Sequence, residues 1–155
     1  MRHSDPTADD ITTLIETQMH LEGPLLPIFH AIQDACGFVP ESALPLIAGR
    51  LNLTVAEVHG VMSFYHDFRK TPAGKLVVRI CRAEACQSMG GSALSAAVLD
   101  KLGLDWGGTT ADGTVTVEAV YCLGLCACAP AAMVGDTLIA RANVPRLERA
   151  MEGAA

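Results

Sequence analysis

Six cysteines stand at Cys36, Cys81, Cys86, Cys122, Cys126 and Cys128, and five of them fall in two short clusters. The first, Cys81-Arg82-Ala83-Glu84-Ala85-Cys86, is a C-x4-C. The second, Cys122-Leu123-Gly124-Leu125-Cys126, is a C-x3-C, with Cys128 two residues further on. Residues 87–121 separate the clusters. Four convergent thiolates suit three chemistries. Structural zinc takes four sulfurs in a tetrahedron but usually draws them from tight C-x2-C knuckles, and neither pair has that spacing. A thiol–disulfide enzyme normally shows C-x-x-C, which is also absent; Cys126-x-Cys128 is the one close pair. A [2Fe–2S] cluster takes two thiolates on each iron, and its wider frame tolerates x4 and x3 spacings. Iron–sulfur ligation by Cys81, Cys86, Cys122 and Cys126 fits the spacing best, with zinc and free thiols as the alternatives.

The neighbouring residues matter because of charge. Two ferric ions, two sulfides and four thiolates sum to −2, and one added electron makes −3. Burial and Glu84 disfavour that electron, whereas Arg82 and backbone N–H donors favour it. Gly124, Gly90 and Gly91 are expected to let the backbone pass close to the sulfides.

The elements that must position these cysteines can be read from periodicity. Residues 1–8 are expected to form a frayed tail. Residues 9–72 carry a helical pattern. Ile11, Leu14, Ile15 and Met19 recur every three to four residues after Asp9 and Asp10. Leu25, Ile28, Phe29, Ile32 and Cys36 form a second stripe, with Pro24 and Pro27 near its first turn and Gly37 as its stop. A third helix is expected from Ser42 to Leu51, with Leu44 and Ile47 facing inward. Thr54-Val55-Ala56-Glu57 reads as a capping box ahead of Val58, Val61 and Met62. Short helices on short loops imply a small helical bundle.

The breaker Thr71-Pro72-Ala73-Gly74 marks a boundary, and the period changes across residues 73–155. Lys75 to Ile80 reads as a buried strand, and Leu94, Val98 and Leu102 lie on a helix ending at Gly103. Asp112-Gly113 is a turn signal ahead of the alternation Thr114 to Glu118. Met133 to Ala140 reads as two strands turning at Gly135-Asp136, and Pro145 opens a last helix. The fold class is α/β (α+β): a helical bundle, then an α/β module. Each cysteine cluster follows a predicted strand and is expected in a loop at that strand's C-terminal end.

Composition excludes several classes. Half the chain is hydrophobic and 18% is charged, which rules out disorder over most of its length. With one Trp, two Tyr and four Phe, the core must be largely aliphatic. A net charge of −6 argues against a nucleic-acid partner. No apolar run is long enough to span a membrane. Met1-Arg2-His3-Ser4-Asp5-Pro6 resembles neither a secretory signal nor a transit peptide, so a reducing, cytoplasmic setting is expected. There is no G-x-G-x-x-G and no P-loop, hence no visible substrate site.

The motifs together are similar to those of a known family. They comprise Gly74-Lys75 leading into a strand, Cys81-x4-Cys86, Leu102-Gly103, Thr109-Thr110-Ala111-Asp112-Gly113, and Val120-Tyr121-Cys122-Leu123-Gly124-Leu125-Cys126-Ala127-Cys128-Ala129-Pro130. They resemble the thioredoxin-like [2Fe–2S] ferredoxins, the small iron–sulfur subunits of respiratory complex I and its relatives. Val58-His59-Gly60-Val61-Met62-Ser63-Phe64-Tyr65 resembles that family's helical-domain signature. The resemblance runs from about residue 10 to 150. The wording Cys81-Arg-Ala-Glu-Ala-Cys86-Gln-Ser-Met-Gly and the segment Cys126 to Pro130 look most like the gamma subunit of NAD-dependent formate dehydrogenases containing molybdenum or tungsten.

The resemblance implies a thioredoxin-like [2Fe–2S] domain after the bundle. It implies Cys81 and Cys86 on one iron and Cys122 and Cys126 on the other. It also implies a flavoprotein partner that holds FMN and binds NAD, with the N-terminal helices packed on it, and a further iron–sulfur and molybdopterin catalytic subunit. Such a chain carries electrons inside an oxidoreductase and has no substrate site of its own. The equivalent subunit of an NADH:quinone oxidoreductase or an NAD-linked hydrogenase is the alternative, and a zinc-stabilised binding module the more distant one.

Other residues have plainer readings. Cys128 is expected to neighbour the cluster rather than ligate it, and Cys36 to pack in the core. The histidines His3, His20, His30, His59 and His66 lack ligand spacing, and Rieske-type ligation would need two of them near the cysteines. His59 and His66 are expected at a surface or interface. Met62, Phe64 and Tyr65 fit either core or a partner-binding patch.

Overall fold

Apolar residues at helical spacing start the chain, and in the computed structural model, which describes residues 6–154, they close four helices around one core. These are α1 (Ala8–Gln18), α2 (Leu25–Cys36), α3 (Ala43–Leu51) and α4 (Val55–Phe64). The predicted capping box is present: the Thr54 hydroxyl accepts from the Glu57 N–H, and the Glu57 carboxylate accepts from the Thr54 N–H. A second box differs from expectation. Thr7 and Asp10 cap α1 in the same way, so Thr7 and Ala8 belong to the helix rather than to the expected tail. Of the rest of that tail, Pro6 stands before the cap, and residues 1–5, His3 among them, lie outside the described residues. Gly37 ends α2 at φ +81, as its position predicts.

Ile11, Ile15, Ile28, Phe29, Ile32, Ile47, Val58 and Met62 fill the core of this bundle. Phe29 stacks on Phe68 at 5.0 Å between ring centroids. Cys36 is half-buried against the same core. The trio on α4 divides: Met62 is buried, whereas Phe64 is 73% exposed and Tyr65 43%. Beside Tyr65 lies an apolar groove of about 410 Å³, lined also by Leu25, Leu51, Leu53 and Val61. His59 and His66 are exposed.

The chain divides into two units between Pro72 and Ala73. The second unit is built on a four-stranded sheet in the order β2-β1-β3-β4. Its elements are β1 (Leu76–Cys81), α5 (Glu84–Ser88), α6 (Gly91–Leu102), β2 (Val115–Val120), β3 (Ala132–Val134), β4 (Thr137–Ile139) and α7 (Val144–Ala154). β1 and β2 are parallel, which requires a crossover, and α5 and α6 supply it. β3 pairs antiparallel with both β1 and β4. Val78, Ile80, Val98, Val117, Ala132, Val134 and Leu147 fill the core.

Three boundaries differ from expectation. β1 begins and ends one residue later than predicted, so Cys81 lies inside the strand. β2 runs on to Val120, two residues past the predicted alternation, because its partner β1 supplies ladder bonds that far. The short helix α5 has no counterpart in the periodicity; at five residues it carries too little pattern to read.

The turn that launches β2 is fastened by Asp112. Its carboxylate accepts from the Thr110 hydroxyl (2.5 Å), the Thr114 hydroxyl (2.7 Å) and the Thr114 N–H (3.1 Å). These bonds hold its pKa at about 2, below the usual 3.8. A depressed pKa means the stabilisation is full above the unfolded value and is lost as the pH falls through the folded one. The turn should therefore weaken between about pH 4 and pH 2. An NMR titration of the Asp112 carboxyl should give a midpoint near 2. An ordinary midpoint near 4 would show that these bonds do not form in solution.

Candidate metal centre

In two adjacent parallel strands the C-terminal ends lie side by side. Here Cys81, the last residue of β1, is in register with Val120, the last residue of β2. Cys122 follows two residues later, so both cysteine clusters arise at one edge of the sheet. The expected loop position holds for the second cluster. The first differs, since Cys81 is in the strand and Cys86 on the single turn of α5.

The first pair is buried, Cys81 being 2% exposed and Cys86 1%. α5 turns Cys86 back towards Cys81: the Cys86 N–H donates to the Ala83 carbonyl at 2.9 Å, and Gln87 Nε2 donates to the Arg82 carbonyl at 2.7 Å. The second pair is exposed, with its sulfurs 3.5 Å apart. It is shaped by two left-handed residues, Cys122 at φ +90 and Gly124 at φ +76. For glycine this is routine. For Cys122 it is a strained backbone of the kind that persists where the surroundings impose it. The reward is local, because the Gly124 N–H points at the Cys122 sulfur at 3.4 Å.

The thiols interact. Burial pushes the Cys81 thiol up, but hydrogen bonds from the backbone of Ala83, Cys122 and Leu123 and from the Cys86 thiol outweigh it, and its pKa falls. Two of those donors belong to the second cluster, so the loop after β2 lies near the sulfur at the end of β1. Cys86 moves the other way, raised by burial and by its bond to Cys81, with the Ala131 backbone partly offsetting both. Cys126 is raised by its neighbour Cys122 and by the charge of Cys81. The strand register thus sets the two predicted cysteine pairs at the same end of adjacent strands. A small apolar shell of Ala83, Val120, Leu123, Leu125, Ala129 and Ala131 surrounds Cys81 and Cys86. Among the described residues, no three His, Cys, Asp or Glu side chains close on one point as ligands of a single ion. The thiols come as two pairs.

Cys128 does not follow the extended geometry that would aim it like Cys126. Cys126–Cys128 is a 3-10 turn, its Cys128 N–H donating to the Leu125 carbonyl at 2.9 Å. At three residues per turn, side chains two apart point in different directions. The Cys128 carbonyl accepts from the Arg141 N–H at 2.7 Å, which ties the turn to the end of β4.

Gly90 and Gly91 also have local tasks at the junction of α5 and α6. Gly90 caps α6 at φ +89. Gly91 approaches not a sulfur but the Cys86 backbone: a Cβ there would lie 2.6 Å from the Cys86 carbonyl oxygen. Sequence reasoning also misses the donors Ala83 and Leu123, because backbone donation leaves no residue-type signal.

A [2Fe–2S] cluster fits this donor set: four thiols in two pairs, N–H donors on the sulfurs, and a dry shell on one side. Comparison with known proteins agrees. Residues 11–155 match the model of the thioredoxin-like [2Fe–2S] ferredoxin family. The HndA subunit of the NADP-reducing hydrogenase of Solidesulfovibrio fructosivorans is 32% identical over 131 residues, 84% of this chain and 77% of that one. A subunit of the NADH-quinone oxidoreductase of Pseudomonas aeruginosa is 36% identical over 126 residues, 79% of this chain and 76% of that one. Among solved structures, an NAD+-reducing [NiFe]-hydrogenase in the H2-reduced state superposes with a TM-score of 0.67 at 25% identity. That likeness covers 84% of this chain but only 22% of the solved one. With a match running through both units, the chain belongs to the thioredoxin-like [2Fe–2S] ferredoxin family.

Proposed function

We propose that Cys81, Cys86, Cys122 and Cys126 hold one [2Fe–2S] cluster, Cys81 and Cys86 on one iron and Cys122 and Cys126 on the other. We propose further that the chain is the one-electron carrier subunit of an NAD-dependent formate dehydrogenase. The observation that carries the first part is the placing of two thiol pairs at the same end of the adjacent strands β1 and β2. When bound, such a cluster supplies one-electron uptake and release. The protein's own contribution is to position and to tune. β1 and α5 hold the buried pair, the strained loop at Cys122 holds the exposed pair, and the N–H donors stabilise negative charge on sulfur.

The partner in this reading is a flavoprotein subunit that holds FMN and binds NAD. The exposed Phe64 and Tyr65 and the neighbouring apolar groove support a partner on the helical unit, since together they make a contiguous apolar surface. A further iron–sulfur and molybdopterin subunit would oxidise formate. The formate assignment is supported by the wording around Cys81 to Gly90 and Cys126 to Pro130. The names of the relatives favour a second reading, in which the parent complex is an NADH:quinone oxidoreductase or an NAD-linked hydrogenase. Among the described residues no helix is long and apolar enough to cross a membrane.

A tag on this chain in its native host tests the choice of parent. The complex recovered should contain FMN and reduce NAD+ with formate. A complex that reduces NAD+ with hydrogen but not formate, or that oxidises NADH only with quinone, would overturn the formate assignment.

A further inference from the structure

The residue after Cys81 is a cation held in place by a ring. Arg82 Cζ sits 5.0 Å from the centroid of Trp106. Both ends of the Arg82 backbone are fastened: its N–H donates to the Val120 carbonyl at 2.8 Å, and its carbonyl accepts from Gln87 Nε2 at 2.7 Å. The ring is fastened too. Trp106 is half-buried against the core of the sheet unit. The turn after it is clamped to β2, with the Gly107 N–H donating to the Val117 carbonyl at 2.8 Å and the Val117 N–H to the Gly108 carbonyl at 3.1 Å. The turn is tight, since a Cβ on Gly108 would lie 2.8 Å from the Asp105 carbonyl oxygen. The cation within β1, Arg79, is paired with Glu118 at 3.2 Å. Among the described residues no carboxylate pairs with Arg82.

We infer that Trp106 is a positioning residue that pins the Arg82 guanidinium beside the Cys81 end of the thiol set, where its charge favours electron uptake. The inference rests on the cluster reading above. A free arginine side chain samples many rotamers in water and spreads its charge over them, whereas cation–π contact with a fixed ring restricts it to one region. The sign follows from Coulomb's law, because each electron taken up makes the thiol set more negative. The size is modest, because Arg82 is exposed. Next in sequence to a cysteine of the set and facing water, such a charge changes the reduction equilibrium by a small factor, about two- to fourfold. For one electron that is about 20–35 mV, at 59 mV per tenfold.

The test uses the full chain, purified anaerobically, with iron and sulfide assayed for every variant. Midpoint potentials are read by EPR-monitored titration. Arg82→Gln should lower the reduction equilibrium about two- to fourfold and Trp106→Leu should lower it in the same direction by less, since the charge is freed rather than removed, while Arg82→Lys and Trp106→Phe stay close to the parent chain. A loaded Arg82→Gln or Trp106→Leu chain with an unchanged potential would overturn the inference. So would a shift in Trp106→Leu that Arg82→Gln does not share. Trp106 is the only tryptophan in the chain, so its emission reads the contact without the cluster. Iodide should quench it more strongly than caesium does, and Arg82→Gln should remove that preference; iodide quenching that ignores Arg82 would again refute the pairing. Absence of iron and sulfide from the parent chain would sink the cluster reading itself, whereas normal content with unmoved potentials sinks only the role of Trp106.

Discussion

Replacing Cys86 with alanine should strip iron and labile sulfide from the chain, while the same change at Cys128 should leave both in place. The two thiols differ in where they point. Cys86 is 1% exposed and turned back towards the end of β1 by α5. Cys128 sits at the far end of the 3-10 turn that begins at Cys126, so its side chain points in a different direction from that of Cys126. Removing one buried ligand leaves an iron with an open position and three thiolates without their balance of charge. The fold should survive, because Cys86→Ala deletes one sulfur atom and leaves the rest of the apolar shell in place. Iron and sulfide assays on Cys86→Ala, Cys126→Ala and Cys128→Ala, purified identically and checked by circular dichroism, decide the matter. If Cys128→Ala loses the cluster and Cys126→Ala keeps it, Cys128 is the ligand and the assignment of the second pair is wrong.

Gly91→Ala should be the most damaging single methyl group in the sheet unit. The added Cβ would meet the Cys86 carbonyl oxygen at 2.6 Å and its carbon at 2.9 Å. Both are backbone atoms, so no rotamer change relieves the contact. α6 must move away, or α5 must carry Cys86 with it. Overpacking of this kind costs about 1–3 kcal/mol. Alanine's better helix propensity returns up to about 1 kcal/mol, so the clash wins. Gly60 in α4 is the control, because a Cβ there meets nothing within 4 Å. Gly60→Ala should therefore stabilise by up to about 1 kcal/mol, whereas Gly91→Ala should destabilise and lower cluster retention. Denaturant unfolding with iron content on both variants tests this. Equal effects at the two positions would mean that Gly91 does not position Cys86.

Much of this architecture is legible in residue order, and the limits are physical. Local signals read well. The Thr54–Glu57 box and the stops at Gly37 and Gly103 depend on neighbours three or four residues away. The cysteine pairs and the strands before them read equally well, because spacing and β-branched runs are also local. What escapes is what the fold decides. The strand register places Cys81 inside β1 rather than after it. The divided fate of Met62, Phe64 and Tyr65 depends on which face of α4 meets the bundle. The contact of Gly91 with Cys86 and the stacking of Arg82 on Trp106 join segments whose nearness no spacing encodes. The turn at Cys126–Cys128 is too short to carry a period.

The most direct test of the central claim is metal analysis of the intact chain. It should be purified anaerobically from iron-replete cells and assayed for iron, zinc and acid-labile sulfide, with an EPR spectrum after dithionite reduction. The account predicts about two irons and about two sulfides per chain, with a rhombic EPR signal. A colourless chain holding about one zinc and no sulfide would contradict it, and would make the four cysteines the clasp of a structural module.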